Sequence, residues 1–320
     1  MRSAVATPRL PNVDFVAATD VGSDSPEAEA LATDRVARHP MPTDPMPTTR
    51  DAYIDLLKRS LLGLTVGPAK LYVPIMSGRS AIRTRIVRAL QRRGRAVLAE
   101  PVDVDLSDNT EGTMSVWGLP PWPQTMVGSV RINNVEECMR CVIEAGVPGD
   151  VIEAGVWRGG TTIFMRGILR AYGITDRKVY VADSFEGVPP PNIARYPADE
   201  GLDLHAWPGL AVSVEEVRAN FDRYGLLDDQ VVFVEGWFRE TLPRLRDHTW
   251  SVLRLDGDLY ESTIDGLENL YPGLSSGGWV IIDDYEIAAC AQAVTDYRER
   301  EGITEPLVRV DWTAVCWQKG

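Results

Sequence analysis

Three aspartates follow two apolar segments in the C-terminal third of the chain, and their type and position suggest metal chemistry. Asp256 ends the segment SVLRLD, and Asp283 and Asp284 end the segment GGWVIIDD. The intervening chain is long enough for one helix, so the segments are expected to be adjacent strands that end at one sheet edge. Three carboxylates there need a cation to stay ionised, and oxygen ligands favour Mg²⁺ over zinc. The alternative is that each aspartate caps a different helix, which explains one aspartate easily but three poorly.

A second chemical feature is the stretch GDVIEAGVWRGGTTIFMRGIL, residues 149–169, which predicts a strand, a tight turn and a helix. The strand is short, apolar and β-branched, as expected for one buried on both faces of a parallel sheet. Gly155, Gly159 and Gly160 remove side chains where the chain turns and where a ligand can approach the backbone. The turn therefore predicts a ligand site, with an ordinary strand-helix unit of a Rossmann-like protein as the alternative.

Glu153 is the unusual residue within this predicted strand. A buried carboxylate is costly unless it meets a cation or hydrogen-bond donors, and the ammonium or sulfonium of an amino-acid-like cofactor would supply the charge. Thr161 and Thr162 are expected to cap the following helix. The pattern E-x-G-x-x-x-G-G lacks the G-x-G-x-x-G spacing that seats a pyrophosphate on a helix N-terminus. A dehydrogenase is therefore the weaker interpretation.

Two further strand ends carry residues suited to a nucleoside. Asp183 ends the segment KVYVAD, where a carboxylate can accept hydrogen bonds from both ribose hydroxyls. Trp237 follows the strand QVVFVEG, and its flat ring could pack on an adenine. A helix cap at Asp183 and a hydrophobic anchor at Trp237 are the alternatives.

A long proline-rich insertion separates the second strand from its helix. Loops of this length in a compact domain are usually functional or disordered, and residues 188–212 are predicted to form a lid over the site. His205 lies in this insertion. It could act as a base or an orienting donor, but a lone loop histidine more often has no chemical role.

The composition excludes several classes of partner. The 320 residues are 44% hydrophobic, which is enough for a full core, and the net charge of −13 argues against nucleic-acid or anionic-membrane surfaces. No apolar run approaches the roughly 18 residues of a spanning helix. The N-terminus has no continuous apolar segment typical of a signal peptide, so a cytoplasmic protein is expected.

The N-terminal part is expected to differ from the rest of the chain. Residues 1–48 are rich in proline, alanine, aspartate and threonine, and they predict a disordered or loosely attached arm. Residues 49–128 predict a helical and loop extension. Its first helix carries a stripe of apolar residues, which predicts a packing face and suggests a homodimer or larger assembly. The stripe comprises Tyr53, Leu56, Leu57, Leu61 and Leu64.

Within the extension, residues 79–95 carry seven arginines opposite a spaced set of apolar residues. A solvated helix face is the simpler interpretation, and a docking site for an acidic partner or anionic substrate is its rival. Trp117 and Trp122 lie in an aromatic and proline-rich loop, where they could line a pocket or fill the core.

The four cysteines are too few for a disulfide scaffold. Cys138 and Cys141 form one C-x-x-C, but they lie in a helical pattern without a second pair or a histidine cluster. Buried helix cysteines are therefore favoured over a metal or redox site. Cys290 and Cys316 are predicted to be core residues.

Five motifs in order resemble the macrocin O-methyltransferase family over roughly residues 50–320. They are IEAGVWRGGTTIFMRG, VADSFEGVP, VEGWFRETL, LRLDGDLYEST and VIIDDYEIAACAQAV. The resemblance implies a Rossmann-like class I methyltransferase fold over residues 129–320. Such a fold is α/β, with a seven-stranded, mostly parallel sheet, helices on both faces and antiparallel last strands. It also implies S-adenosylmethionine and Mg²⁺ as cofactors, and a sugar hydroxyl of a glycosylated antibiotic as the methyl acceptor.

The resemblance also implies roles for individual positions. The methionine half of the cofactor would be held by residues of the glycine turn and by a loop that closes over it: Glu153, Gly155, Gly159, Gly160, Thr125 and Met126. Asp183 and Ser184 would contact the ribose, and Gly236 and Trp237 would contact the adenine. Asp256, Asp283 and Asp284 match the metal triad.

The chemistry of a sugar hydroxyl agrees with this assignment. Such a hydroxyl is a poor nucleophile at neutral pH, and coordination to Mg²⁺ would lower its pKa. Asp256 is the candidate general base. The remaining hypotheses are a Rossmann-type oxidoreductase or nucleotide-sugar enzyme, and a non-catalytic cofactor-binding scaffold that docks a partner through the arginine-rich stretch.

Overall fold

The computed structural model describes residues 48–66, 69–74, 99–104, 109–110, 112 and 123–320. The arm predicted over residues 1–48 lies outside these ranges except for Thr48. The arginine-rich stretch, Trp117 and Trp122 also lie outside them. Among the helices of the described ranges, none combines the length and apolar content that crossing a bilayer requires.

Nine strands form two sheets in the described part of the chain. They are β1 (Ala69–Pro74), β2 (Ala99–Val104), β3 (Asp150–Ala154), β4 (Val179–Asp183), β5 (Val231–Glu235), β6 (Trp250–Leu255), β7 (Leu274–Ile282), β8 (Val308–Arg309) and β9 (Val315–Gln318). β1 and β2 pair with each other, antiparallel. The other seven form one sheet in the order β5-β4-β3-β6-β7-β9-β8. β3 to β7 are parallel and β9 is antiparallel to both neighbours, which confirms the predicted sheet.

Side chains alternate between the two faces of this sheet, and each face has its own core. Val151 and Val252 belong to one hydrophobic cluster, whereas Ile152 and Leu253 belong to the other. Successive residues of a strand point to opposite faces, so apolar residues at every position bury both sides. This pattern explains why the strands are continuous apolar runs.

Helices cover both faces, as the family resemblance implied. They are α1 (Thr49–Leu61), α2 (Ser129–Glu144), α3 (Gly160–Ala171), α4 (Val214–Arg223), α5 (Phe238–Thr241), α6 (Tyr260–Leu270) and α7 (Ala288–Glu301). Apolar residues of α1 to α4 join the cluster around Val151. Those of α6 and α7 join the cluster around Ile152. The parallel strands and the helices between them bring the strand ends together at one edge.

Two sequence predictions about helices were wrong in detail. The N-cap of α3 is Gly159 rather than a threonine, because Thr161 and Thr162 already lie inside the helix and Thr162 donates its hydroxyl to Glu153 instead. On α1, Leu57 and Leu61 are buried against α3. Leu56 is 62% exposed, since a helix turns about 100° per residue and this position lies well away from the buried stripe.

The four cysteines are free thiols, and the predicted burial is confirmed for three of them but not for Cys141. Cys138, Cys290 and Cys316 are buried, and Cys141 on α2 is half-buried. Within the described residues they form no metal-ligating group, since the one cluster able to hold an ion consists of carboxylates.

Candidate active site

The functional residues predicted at the strand ends lie side by side at one sheet edge. The parallel pairing continues past the last strand residues: Gly155 donates its N–H to the carbonyl of Ala182 over 2.9 Å, and Asp256 donates to that of Ala154 over 2.8 Å. Asp283 donates in the same way to Leu255 over 3.0 Å. The turns after β3, β6 and β7 are therefore fixed relative to one another by backbone hydrogen bonds.

Asp256, Asp283 and Asp284 form a carboxylate cluster at this edge. One oxygen of each lies within 4.8 Å of the other two. Their side chains differ in exposure, 29% for Asp256 and 5% for Asp283. Three carboxylate oxygens at this spacing are a donor set suited to a hard divalent cation. The predicted metal residues are thus brought together, with Asp256 the more accessible of these two.

Two buried arginines, which the sequence reasoning missed, neutralise part of this cluster. Arg254 is 1% exposed and donates to Asp256 over 2.7 Å. It also forms ion pairs with Glu153 and Asp283. Arg131 of α2 pairs with the second oxygen of Asp283 and lies 3.0 Å from Asp311. Because each guanidinium bridges carboxylates from different elements, the network ties α2, β3, β6 and the end of β7 together.

The sheet register explains why Glu153 and Arg254 meet. They are direct cross-strand partners in the β3–β6 pair, and both point to the face on which α2 packs. The sequence predicted that the charge of a cofactor compensates Glu153. In the structure its carboxylate accepts from Arg254 and from Thr162, so both donors come from the protein. A charged residue inside each of two adjacent apolar strands was the signal that could have identified this pair.

Burial and mutual repulsion raise the pKa of several carboxyls at this edge. Burial raises the pKa of Glu153 to about 7, although Arg254 and Thr162 act in the opposite direction. The pKa of Asp284 is well above its ordinary value because of burial and the charges of Asp258, Asp256 and Asp283. Burial and Asp283 also raise the pKa of Asp256. The edge therefore carries more negative charge than its two arginines compensate, and a bound cation would relieve the excess.

A cleft of about 750 Å³ opens beside the cluster. The predicted residues that line it are Met126, Gly155, Asp183, Ser184, Trp237 and Asp256. Gly155 has φ +92°, and a Cβ there would collide with the carbonyl oxygen of Asp256. Only glycine tolerates this conformation and this close approach of two strand ends. The glycine turn thus keeps the cleft floor free of side chains.

Asp183 presents its carboxylate at the floor of the cleft. Its oxygens accept backbone N–H groups from Val156 and Phe185, each over 2.8 Å. Burial raises the pKa of Asp183, and these hydrogen bonds counteract that rise. The neighbouring Ser184 donates its hydroxyl to the carbonyl of Gly187 over 2.8 Å. Two backbone donors hold the carboxylate in one orientation, as recognition of a diol requires.

The other predicted cofactor residues lie behind the cleft wall. Thr125 is buried, with its hydroxyl 3.3 Å from that of Thr161. Gly160 donates its N–H to the carbonyl of Gln124 over 3.0 Å, and this bond ties the loop to the start of α3. Gly159 packs against Val217. Gly236 donates to the carbonyl of Asp183 over 2.9 Å and so aligns the turn before Trp237.

The proline-rich insertion borders the cleft and is anchored at two points. It contains three short 3-10 helices, Pro197–Asp199, Leu204–Ala206 and Pro208–Leu210. The indole N–H of Trp157 donates to the carbonyl of Gly209 over 2.9 Å. Asp199, which is fully buried, accepts the N–H groups of Tyr260 and Glu261 over 2.6 and 3.2 Å.

His205 is exposed on the second of these short helices and is not among the residues that line the cleft. Three acidic residues that the sequence reasoning did not single out do line it: Asp258, Glu261 and Asp265. Asp258 has φ +59°, rare for a residue with a side chain, and its N–H donates to Asp284 over 3.0 Å. Its place two residues after Asp256 was the available signal.

Comparison with known proteins places this site in a family. The family model described as Macrocin-O-methyltransferase (TylF) matches residues 50–319. The chain is 46% identical over 273 residues to 8-demethyl-8-(2,3-dimethoxy-alpha-L-rhamnosyl)-tetracenomycin-C 4'-O-methyltransferase of Streptomyces olivaceus, covering 84% of this chain and 93% of that protein. It is 51% identical over 203 residues to demethyldecarbamoylnovobiocin O-methyltransferase of Streptomyces niveus, covering 62% and 78% respectively.

A solved structure with a similar fold is that of the O-methyltransferase NovP. It superposes with a TM-score of 0.67 at 41% sequence identity, and the match covers 84% of this chain and 99% of that one.

Proposed function

Because this chain belongs to the macrocin O-methyltransferase family, we propose that it transfers a methyl group from S-adenosylmethionine to a deoxysugar hydroxyl of a glycosylated natural product. The chain is an O-methyltransferase by its family. The observation that carries the specific proposal is the single cleft in which Asp183, at one strand end, and Asp256, at another, face the same space. This arrangement supports the proposal that Asp183 would bind the nucleoside of the cofactor while Asp256 would accept the hydroxyl proton of the acceptor.

The donor half of the proposal rests on the floor and walls of this cleft. Asp183, held by two backbone donors, would accept both ribose hydroxyls, with Ser184 beside it. Trp237 would pack on the adenine. The methionine half would lie at the glycine turn, with Met126 and Gly155 against it. The turn and the loop next to it would be held in place by residues that do not line the cleft: Thr125, Gly159, Gly160 and Glu153.

The acceptor half rests on the carboxylate cluster. Asp256, Asp283 and Asp284 would hold Mg²⁺, which when bound lowers the pKa of an alcohol. The hydroxyl oxygen would form a bond to the sulfonium methyl as the carbon–sulfur bond breaks, leaving a neutral thioether. Asp256 would accept the hydroxyl proton. Its greater exposure than Asp283 suits this role, and Arg254 fixes its orientation.

The acceptor class follows from a relative and from the insertion. The Streptomyces olivaceus relative is named for a substrate that carries a 2,3-dimethoxy-alpha-L-rhamnosyl group on tetracenomycin C. In this chain, Val188, Pro189 and Leu210 of the insertion contribute apolar surface to the cleft. A deoxysugar is less polar than an ordinary hexose and suits such a wall. The insertion would close over both ligands as a lid, anchored through Trp157 and Asp199.

Calorimetric titration with S-adenosylhomocysteine tests the donor half, because it needs no knowledge of the acceptor. We expect one-site binding that Asp183→Ala weakens at least about tenfold, since a buried charge-assisted pair of hydrogen bonds is lost. Asp222→Asn, on an exposed position of α4, serves as the matched control. A folded protein that does not bind this ligand would refute the proposed donor site.

Metal titration tests the acceptor half separately. We expect Mg²⁺ or Mn²⁺ to bind the apo protein with one site, and Asp284→Asn to remove that site. Glycoside methylation should stop after exhaustive EDTA treatment and return with added Mg²⁺. Persistent activity in EDTA would show that the carboxylate cluster works without a metal. Hydrogen exchange should slow in residues 188–212 when cofactor and acceptor are both bound.

A further inference from the structure

Glu261 carries a buried carboxylate oxygen that the rest of the fold leaves without a donor. It is the second residue of α6, is 5% exposed and lines the cleft. Within the described residues, its Oε2 atom accepts no hydrogen bond. A buried acceptor left without a partner is costly. Such an atom at the wall of a binding cleft indicates that a ligand supplies the missing donor.

The neighbours of Glu261 define what kind of ligand group fits. The nearest cation is Arg239, whose Nη1 lies 3.8 Å from Oε1, beyond hydrogen-bond distance. Asp265, one helical turn further along α6, also lines the cleft. Two acidic side chains exclude an anionic group here. They favour a neutral or cationic group that donates a hydrogen bond.

Contacts of Arg239 place Glu261 at the aromatic end of the cleft. The guanidinium of Arg239 lies 5.8 Å from the ring centre of Trp237. Its Nη1 atom also lies 3.8 Å from Glu261. Trp237 and Phe238 both line this part of the cleft. The ribose carboxylate Asp183 lies in the same cleft. A nucleoside bound to it can therefore extend its base toward Trp237 and Glu261.

A glycine permits close packing between these residues. Gly257 lines the cleft beside Glu261, and a Cβ there would lie 2.7 Å from the Cβ of Ser262 and 3.4 Å from the ring of Phe238. The absence of a side chain at Gly257 allows α6 and the Phe238 ring to approach closely. Because Glu261 lines the same part of the cleft, its carboxylate can contact an exocyclic amino group of a heterocycle bound there.

We propose that Oε2 of Glu261 accepts a hydrogen bond from the 6-amino group of the cofactor's adenine, so that Glu261 selects adenine against 6-oxopurines. This inference rests on the proposed function, because it requires an adenine nucleoside in the cleft. In a 6-oxopurine the amino group is replaced by a carbonyl oxygen, which would face the carboxylate as a second acceptor. Sites built to pair a polar group reject analogues that leave it unpaired by large factors.

The experiment compares two ligands and three proteins by calorimetry. S-adenosylhomocysteine and S-inosylhomocysteine differ at position 6 of the purine, which carries an amino group in the first and an oxo group in the second, and at N1, which carries a hydrogen in the second. The proteins are the wild type, Glu261→Gln and the control Glu268→Gln, which lies on the same helix and pairs with Arg300 at the surface. We expect the wild type and the control to prefer the adenosyl ligand by at least about 100-fold. Glu261→Gln should reduce this preference at least about tenfold, because its amide can donate to the 6-oxo group.

Each outcome decides between the inference and its premise. A preference that is the same in the wild type and in Glu261→Gln overturns the role of Glu261, as does a wild type that does not discriminate. If the folded wild type binds neither ligand, the proposed function itself fails. If Glu261→Gln does not fold, Glu261→Asp replaces it. Shortening the side chain by one methylene should lower the affinity for the adenosyl ligand at least about tenfold without raising the affinity for the inosyl ligand.

Discussion

Two groups of carboxylates lie at one cleft: Asp256 of the strand-end group and Glu261 of α6 line it, and Asp283 is buried beside Asp256. The protein compensates the charge of the two groups in different ways. In the strand-end group, Asp256 and Asp283 are bound by Arg254, which is buried. In the helix group on α6, the one ion pair of Glu261 among the described residues is with the half-exposed Arg239, at 3.8 Å, and one of its oxygens has no donor there.

The difference separates residues that hold a reaction centre from residues that recognise a ligand. Guanidinium groups fix the strand-end carboxylates in position before any ligand arrives, which favours preorganisation of a charged site. The carboxylate on α6 keeps hydrogen-bonding capacity that the protein does not use. We therefore expect variants of the first group to affect turnover and stability, and variants of the second to affect ligand choice.

The largest expected effect is on turnover. Asp256→Asn should reduce kcat by about 10³-fold or more, because the amide can neither accept the hydroxyl proton nor supply the same charge. Affinity for S-adenosylhomocysteine should change less than about threefold. Single-turnover methylation and calorimetry measure the two quantities, with Asp222→Asn as the surface control. Normal turnover in Asp256→Asn would remove this residue from the mechanism and erase the distinction between the two groups.

The second prediction compares the two arginines. Arg254→Met leaves buried carboxylates without their cation and should lower the free energy of unfolding by about 3–5 kcal/mol. Arg239→Met removes a side chain that is 48% exposed, and its cost should be about 0–1 kcal/mol. Urea unfolding at pH 7 in EDTA measures both. Equal losses would show that the two groups are compensated alike.

The third prediction concerns pH and Glu153. Its pKa is about 7 in the folded protein against 4.5 as the ordinary value, so the folded state binds a proton that the unfolded state has lost between these pH values. The free energy of unfolding should therefore fall as pH rises from 4.5 to 7, by at most about 1.4 kcal/mol per pH unit.

Glu153→Gln should flatten this slope, because the amide does not titrate. Urea unfolding at pH 5, 6 and 7 in EDTA measures the slope, and Glu235→Gln, exposed at the end of β5, is the control. Part of the slope should remain, since burial and Asp256 raise the pKa of Asp258 to about 7 as well. An unchanged slope would mean that Glu153 stays ionised beside Arg254 throughout this range.

The fold and the strand-end group were predictable because both follow from local patterns. Apolar β-branched runs define parallel strands, and a parallel sheet brings their carboxyl ends to one edge. Asp183 and Asp256 could therefore be assigned to one site without knowing any contact. The order of the motifs indicated the family, and the family fold was sufficient to predict that the last strands of the sheet are antiparallel.

The compensating groups were not predictable in this way. Arg254 meets Glu153 only because β3 and β6 are neighbours in a particular register, and sequence periodicity does not determine register between distant strands. Arg131 reaches Asp283 from α2, far away in sequence. The burial of Glu261 depends on how α6 packs against the insertion. These are tertiary facts, and they decide which carboxylates are held and which are available.

The last prediction concerns Asp199, which represents a third kind of compensation. In the part of the chain that the structure describes, no arginine pairs with its carboxylate, which accepts two backbone N–H groups at the start of α6. Capping bonds of this kind contribute about 1–2 kcal/mol, less than a buried arginine network. Asp199→Ala should therefore lower the free energy of unfolding by about that amount, and Asp203→Ala, exposed in the same insertion, should have little effect.

The same variant tests the anchor between the insertion and α6. Loss of the carboxylate should speed hydrogen exchange in residues 197–210 and at the N–H groups of Tyr260 and Glu261, while exchange in β3 and β6 stays unchanged. Because Glu261 is one of the two residues that Asp199 holds, its position at the cleft should become less defined. The preference for the adenosyl over the inosyl ligand should then fall by a few-fold. An unchanged preference together with faster exchange would show that Asp199 does not set the position of Glu261.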